Sequence, residues 1–361
     1  MTFEWCESNK QNYLYVEAED RYSLGVGVGR GLVNQITSTK KMFDLMFLNI
    51  RNAQIGSEFD LEIIDSLIKG YEAFIPDEDK EEIKGIWKGY CQESGENVPY
   101  KDILLQTLII NIIYQLMSRM TTSITFEGCT NFGIVNPNGT TTHGQNYDAD
   151  GRMTSCNAFV RHKLPNEPEV FLFRSGADLG TACGKNSAGV CMTVSVIDSN
   201  QTAPIMIPRG ILVRRAMKCE TAAEAAKAMV DEKGRSPFSY NLVISDNKIV
   251  IGTQSIPTEQ RITYVKKLLV QSNQYDYYDW EKYLKKPYYS KRRQIHSETL
   301  LENIFKRYGK VDNEDLLEIL RDEPFICRKA ENDGIGTTVL FLTRESFGLG
   351  NAKGSVGDIP F

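Results

Sequence analysis

Histidine is scarce in this chain, with three residues in 361, and His143, His162 and His296 form none of the spacings that bind zinc. No metal centre is expected from them. Basic residues are not in excess either: Lys and Arg number 42 against 47 Asp and Glu, for a net charge of −5. Nucleic acids and anionic membranes reward the opposite balance, so neither is expected as a partner. The eight cysteines include no CxxC pair, and "MTFEWCESNK" lacks the basic, apolar and cleavage-site segments of a secretory signal. Free thiols and a cytoplasmic setting are expected. The most apolar stretch, "ILLQTLIINIIYQLM" (103–117), is interrupted by Gln106, Asn111 and Gln115 and falls short of the roughly 20 residues that span a bilayer. It reads as a buried helix. Internal repeats and low-complexity linkers are also missing.

What is present changes character along the chain. Residues 1–120 read as helical, with Pro76 and Gly95 as breaks. From 129 onward short β-rich runs appear: "NFGIV", "AFVRHKL", "EVFLF" and "GVCMTVSVI". A helical block follows, in which Thr221 and Glu224 have capping-box spacing and Gly234 supplies a stop. Strands return at "YNLVIS", "KIVIG" and "ITYVKKLLV", and two helices over about 297–321 precede a last strand, "TTVLFLT". Helices and strands grouped in this way predict an α+β fold with sheets packed between helices.

Two glycine-rich stretches carry no nucleotide or nucleophile motif. "GVGVGRG" (25–31) does not satisfy GxGxxG and lies in the helical region, where close helix packing explains it. "GKNSAG" (184–189) fits neither a phosphate loop nor a nucleophile elbow and reads as a turn between strands. The basic run "KKPYYSKRR" (285–293) reads as a solvated loop with local tyrosine packing; a grip on an anionic ligand is the other reading.

The stretch "FEGCTNFGIVNPNGTTTHGQNYDAD" (126–150) carries more chemistry. It reads as two strands around the turn "NPNG", with Pro137 setting φ and Gly139 permitting a positive φ. A turn centred near residues 137 and 138 puts Cys129 opposite Asn146, with Asp148 just beyond. A buried structural thiol is the plain reading of a cysteine. Gly128 argues for another, because a residue without a side chain leaves the preceding carbonyl open to attack by the Cys129 thiol. A thioester formed there and hydrolysed would make Cys129 a new N-terminus. Its α-amine, with a pKa of about 7.7 to 8.0 against about 10.4 for lysine, could serve as base for its own thiol.

These residues resemble the processing site of the acyl-coenzyme A:6-aminopenicillanic acid acyltransferase family, the C45-type cysteine members of the N-terminal nucleophile hydrolases. The likeness lies in Gly-Cys-Thr, a turn around Pro-Asn-Gly, then Gly-Gln-Asn-aromatic-Asp. "EIKGIWKGYCQESG", "GKNSAGVCMTVSV", "LLVQSNQY" and "PFICRKA" resemble the same family in the same order. The resemblance implies a four-layer αββα sandwich formed as one structural domain. Self-cleavage between Gly128 and Cys129 would give a helical small chain (1–128) and a large chain (129–361) that stay associated. It implies Cys129 as nucleophile, Asp148 holding the new amine, Asn273 donating to the oxyanion, and Arg328 supplying positive charge near the thiolate. Gln274 stands where the fungal acyltransferase has His, and Tyr147 stands for its Trp. The segment 274–296 is unlike the fungal enzyme, which leaves the substrate open.

The activity expected from this reading is hydrolysis of a linear amide or small peptide C–N bond in a small molecule, with no cofactor. The transferase branch would use an acyl-coenzyme A thioester as substrate. Two other readings remain: an uncleaved, non-catalytic small-molecule binder of the same fold, and a Cys-His protease with His143 or His296 as base.

Overall fold

The computed structural model describes residues 1–8, 11–52, 61–119, 128–181, 183–285, 288–323, 325–327, 335–342, 346–351 and 357–360. The chain opens on a hairpin, β1 (Thr2–Ser8) and β2 (Gln11–Glu17), paired from Thr2 with Glu17 to Ser8 with Gln11. This corrects the helical expectation for the first residues. The strands are short and only alternate positions such as Leu14 and Val16 are buried, so the apolar signal is confined to a few residues.

Five helices follow: α1 (Arg21–Gly31), α2 (Val33–Asn52), α3 (Leu61–Glu72), α4 (Asp77–Ser94) and α5 (Tyr100–Arg119). Pro76 caps the start of α4 and Gly95, at φ 71°, ends it, as the sequence indicates. The "GVGVGRG" stretch packs closely against α4. A Cβ on Gly25 would overlap the Glu82 carbonyl and the Gly85 backbone, and one on Gly29 would overlap the Ile86 carbonyl. Gly85 and Gly89 meet the Tyr22 and Val26 carbonyls in return. Here the glycines serve backbone contact between two helices.

The remaining elements are β3 (Thr130–Val135), β4 (Thr141–Asp150), β5 (Asn157–Lys163), β6 (Val170–Ser175), β7 (Cys183–Asn186), β8 (Cys191–Val196), α6 (Arg209–Ala216), α7 (Ala222–Ala228), β9 (Tyr240–Ser245), β10 (Val250–Ile256), β11 (Glu259–Val265), β12 (Leu268–Gln271), α8 (Tyr288–Tyr308), α9 (Asn313–Leu320), β13 (Ile335–Leu342), β14 (Ser346–Asn351) and β15 (Gly357–Pro360). The capping box at Thr221 and Glu224 forms as expected, but α7 ends at Ala228, before Gly234. "ITYVKKLLV" divides into β11 and β12, which lie in different sheets, so the chain crosses between sheets at Lys266 and Lys267.

One sheet runs β1-β2-β5-β6-β7-β8-β9-β10-β11 and the other β12-β3-β4-β13-β14-β15. Helices α1, α4 and α5 cover β2 and β5 through a core that includes Leu14, Val160, Leu24, Ile86 and Leu108. Helices α6 and α7 cover the middle of the same sheet through Leu172, Met192, Leu242, Leu212 and Ala225. On the far side, α8 and α9 pack Leu301, Leu316 and Leu320 onto Phe132, Ile134 and Val270 of the second sheet. The sheets face each other directly: both His143 ring nitrogens meet hydroxyls across the gap, Ser245 and Thr193, each at 2.8 Å. The architecture is the expected α+β sandwich of four layers, αββα.

Candidate active site

The β3–β4 hairpin sets the frame. The Asn136 amide donates to the Thr140 carbonyl at 2.9 Å and Gly139 takes a left-handed φ of 81°, so three residues, not two, make the loop. The register therefore pairs Thr130 with Asn146, one step from the expected partner Cys129. In a pleated strand one step changes the face. Continued beyond Thr130, the same ladder sets Cys129 across from Tyr147 and Gly128 across from Asp148.

The two faces do different things. On the Asn131 face, Gln145 donates to the Val194 carbonyl of the opposite sheet at 2.7 Å. On the Thr130 face, the Asn146 amide donates to the Leu320 and Ile326 carbonyls at 2.7 and 2.8 Å. Asn146, which the resemblance leaves without a task, thus fastens the segment before "CR" to the hairpin. Asp148 is buried on that same face, and its backbone pairs with Thr337 of β13. Arg328 lies outside the described residues.

Cys129 is buried, and its carbonyl is reached by Arg293, which no motif in the sequence singles out. Its Nη2 donates to the Cys129 carbonyl at 3.1 Å and to Asn273 Oδ1 at 2.7 Å, and its Nε donates to Thr130 Oγ1 at 2.8 Å. Arg293 ends the basic run 285–293. That run is not a loop throughout: residues 288–293 open α8, where Lys291 and Arg292 face solvent and Arg293 is 1% exposed. The available signal was helical spacing, since Ser290, Arg293, Ser297 and Leu301 recur at three- and four-residue intervals and form one buried stripe. Alternating charge and tyrosine concealed it.

Asn273 is held from several sides. Its Nδ2 donates to the Val196 carbonyl at 2.6 Å, which engages one of the two amide hydrogens. Asn241 Nδ2 donates to the carbonyls on either side of it, Ser272 and Gln274, at 2.8 and 2.6 Å. Gln294 Oε1 accepts from the Ser272 amide at 3.1 Å, tying this loop to α8. The structure therefore brings Cys129 and Asn273 together through Arg293.

The other titratable groups favour no histidine as base. His143 sits four residues along β4 from Tyr147, about 13 Å, and burial lowers its pKa to about 3, so it is neutral. His162 is buried beside Arg214, and burial and that guanidinium hold it well below its ordinary value. His296 Nε2 meets Asp322 Oδ2 at 2.8 Å. Burial pushes the Tyr114 phenol and the Cys183 thiol well above their ordinary values, and Cys129 acts on both in the same direction. Tyr114 and Cys183 therefore stay protonated next to the site. All eight cysteines are among the described residues, and none is in a disulfide.

Residues 135–344 match the family model of acyl-coenzyme A:6-aminopenicillanic acid acyl-transferase. The chain belongs to that family. The match begins six residues after Cys129 and takes in Asp148, Asn273 and Arg293. An uncharacterized protein of Archaeoglobus fulgidus is 25% identical over 203 residues, which is 52% of this chain and 33% of that protein. The chain thus spans about a third of the length of that relative. Among solved structures, the Caenorhabditis elegans ortholog of N-acylethanolamine-hydrolyzing acid amidase has 15% identity, 59% of this chain and 92% of that chain covered, and a TM-score of 0.42. A single-residue variant of conjugated bile acid hydrolase from Clostridium perfringens has 12% identity, 64% and 92% coverage, and a TM-score of 0.47. Likenesses of this size bear on neither the site nor the substrate. No helix among the described residues is long and apolar enough to cross a membrane.

Proposed function

We propose that this family member is a self-processing thiol amidase. The observation that carries the reading is the Arg293 fork, which ties the main chain at Cys129 to the side chain of Asn273 at 3.1 and 2.7 Å. In the first reaction the Cys129 thiol attacks the Gly128 carbonyl, the C–N bond breaks, and the departing nitrogen takes a proton to become the α-amine. Water then adds to the thioester and releases the Gly128 carboxylate and the thiol.

The same atoms would then act on a substrate. The new α-amine, poised near neutral pH, accepts the thiol proton as sulfur attacks a linear amide. That proton passes to the leaving amine, and water hydrolyses the acyl-enzyme. Asp148 would hold the α-amine from the neighbouring strand. Asn273, with one amide hydrogen on Val196, would offer the other to the oxyanion. Arg293, and Arg328 beside it in role, would favour the thiolate and the charge that builds on oxygen.

An acyl-coenzyme A-dependent N-acyltransferase is the same chemistry with an amine in place of water at the second step. Intact-mass measurement tests the proposal. Wild-type protein should yield fragments ending at Gly128 and beginning at Cys129, while Cys129→Ala stays whole. A wild-type chain that remains uncut, as an inert binder of the same fold would, sinks it.

A further inference from the structure

We infer that the acyl group this enzyme accepts has no side chain on its α-carbon in the L direction, placing its substrates among glycyl-like and straight-chain acyl amides. The inference rests on the self-processing thiol reading and concerns the residue before the nucleophile. A Cβ built on Gly128 would fall inside the Arg293 guanidinium. That guanidinium is held in place by three acceptors. Its Nε is held by Thr130 and its Nη2 by Cys129 and Asn273, and the side chain is 1% exposed.

The link to substrate is chemical identity. When the Cys129 sulfur attacks Gly128, the product is a thioester: the Gly128 acyl group on Sγ, formed as the C–N bond breaks and nitrogen takes up a proton. When the sulfur attacks a substrate amide, the product is again an acyl group on Sγ, with the leaving amine protonated. Water then resolves each one to a carboxylate and a free thiol. One sulfur, one oxyanion donor and one cation serve both, so the acyl α-carbon of the substrate occupies the seat of Gly128 Cα. A methylene fits that seat against Arg293. A carbon bearing a group where an L-side chain projects overlaps the guanidinium, and displacing it would break its bonds to Cys129 and Asn273.

Three chromogenic anilides test this with wild-type protein whose processing has been verified by intact mass: N-acetylglycyl, N-acetyl-L-alanyl and N-acetyl-D-alanyl. The two alanyl probes have equal intrinsic reactivity, so a difference between them reports the seat. The glycyl probe should be cut, and the L-alanyl probe should lose roughly 100-fold in kcat/KM, the penalty expected when a reacting carbon is displaced by about an ångström. In parallel, Gly128→Ala should slow self-cleavage by a similar factor. Processed enzyme that cuts the L-alanyl probe within about threefold of either the glycyl or the D-alanyl one, or cuts none of the three, overturns the inference. Wild-type protein that stays a single chain overturns the self-processing reading instead, and the mass spectrum separates the two failures.

Discussion

Arg293 and Cys129 are joined by a hydrogen bond from Nη2 to a main-chain carbonyl, 3.1 Å long and spanning 164 residues of sequence. Through it, the first helix after the Tyr-rich connector fixes the backbone at the start of the central hairpin. This contact spares the thiol itself, because the bond goes to the carbonyl and not to sulfur. The same nitrogen reaches Asn273, so the proposed nucleophile and the proposed oxyanion donor share one cation.

Replacing Arg293 by Lys should therefore fail as badly as replacing it by Ala. The three acceptors, on Thr130, Cys129 and Asn273, fan out around a planar fork that one ammonium cannot match. Groups left unpaired in the interior should cost about 1–3 kcal/mol of stability. Self-cleavage should slow by roughly 100- to 1,000-fold, the usual effect of disturbing an oxyanion site. Fragment formation followed over time on gels checks this, and wild-type speed in Arg293→Lys would refute it.

Much of this was legible in the sequence, and the exceptions have physical causes. Cys129, just before β3, and Asp148, within β4, stood out because the hairpin pattern places them near one another, whereas Asn273 was reached through the family resemblance alone. The hairpin register slipped by one because Gly139 at φ 81° makes a three-residue loop, and nothing in "NPNG" distinguishes that from a two-residue loop with its centre half a residue earlier. Arg293 was hidden because its partners are 163, 164 and 20 residues away and its neighbours Lys291 and Arg292 are ordinary solvated charges. The β1–β2 hairpin was hidden because its burial depends on a distant strand, β5, which it joins in parallel.

Gly25→Ala should destabilise the fold although it adds only a methyl group to a helix. The new Cβ has nowhere to go but into the Glu82 carbonyl, so α1 and α4 must move apart and loosen the core around Leu24, Ile83 and Ile86. The cost of overpacking is about 1–3 kcal/mol, and it outweighs the roughly 1 kcal/mol that alanine gains over glycine in helix propensity. Chemical denaturation decides the sign. An unchanged or raised midpoint would mean that the helices do not meet through their backbones.

Cys129→Ala and His296→Ala should part company. Removing the thiol should abolish both the proposed self-cleavage and amide hydrolysis. Removing His296 breaks one pair with Asp322 at 2.8 Å, on a half-exposed surface where such pairs contribute about 1 kcal/mol or less. Hydrolysis by the His296 variant should stay near the wild-type rate in a single-turnover assay. Loss of activity in that variant, with the chain uncut, would favour a cysteine-histidine protease.

Asp79 should make the protein less stable at neutral pH than its amide would. It is 2% exposed beside Glu82 at the start of α4, and burial together with the charge of Glu82 raises its pKa to about 6 from an ordinary 3.8. Glu82 behaves oppositely. Burial works against its charge, but Arg214 and Arg21, at 2.7 and 3.1 Å, and Arg174 hold it down at about 2. Between pH 4 and 6 the folded chain keeps the Asp79 proton that the unfolded chain has released. Stability contributed by Asp79 is therefore full below about pH 4, falls as pH rises toward 6, and stays low above it. A shift of about two units corresponds to at most about 3 kcal/mol. The favourable helix-start position of an acid offsets only about 0.3–1 kcal/mol of that. Asp79→Asn should therefore melt higher than wild type at pH 8, with the difference closing by pH 4. Glu82 does not blur the comparison over most of this range, because its own loss of stability begins only below about pH 4.5. Thermal melts across pH 4 to 8 would settle the sign, and a variant less stable than wild type at pH 8 would show that the Asp79 carboxylate is held as an ion by Arg21 and Arg214.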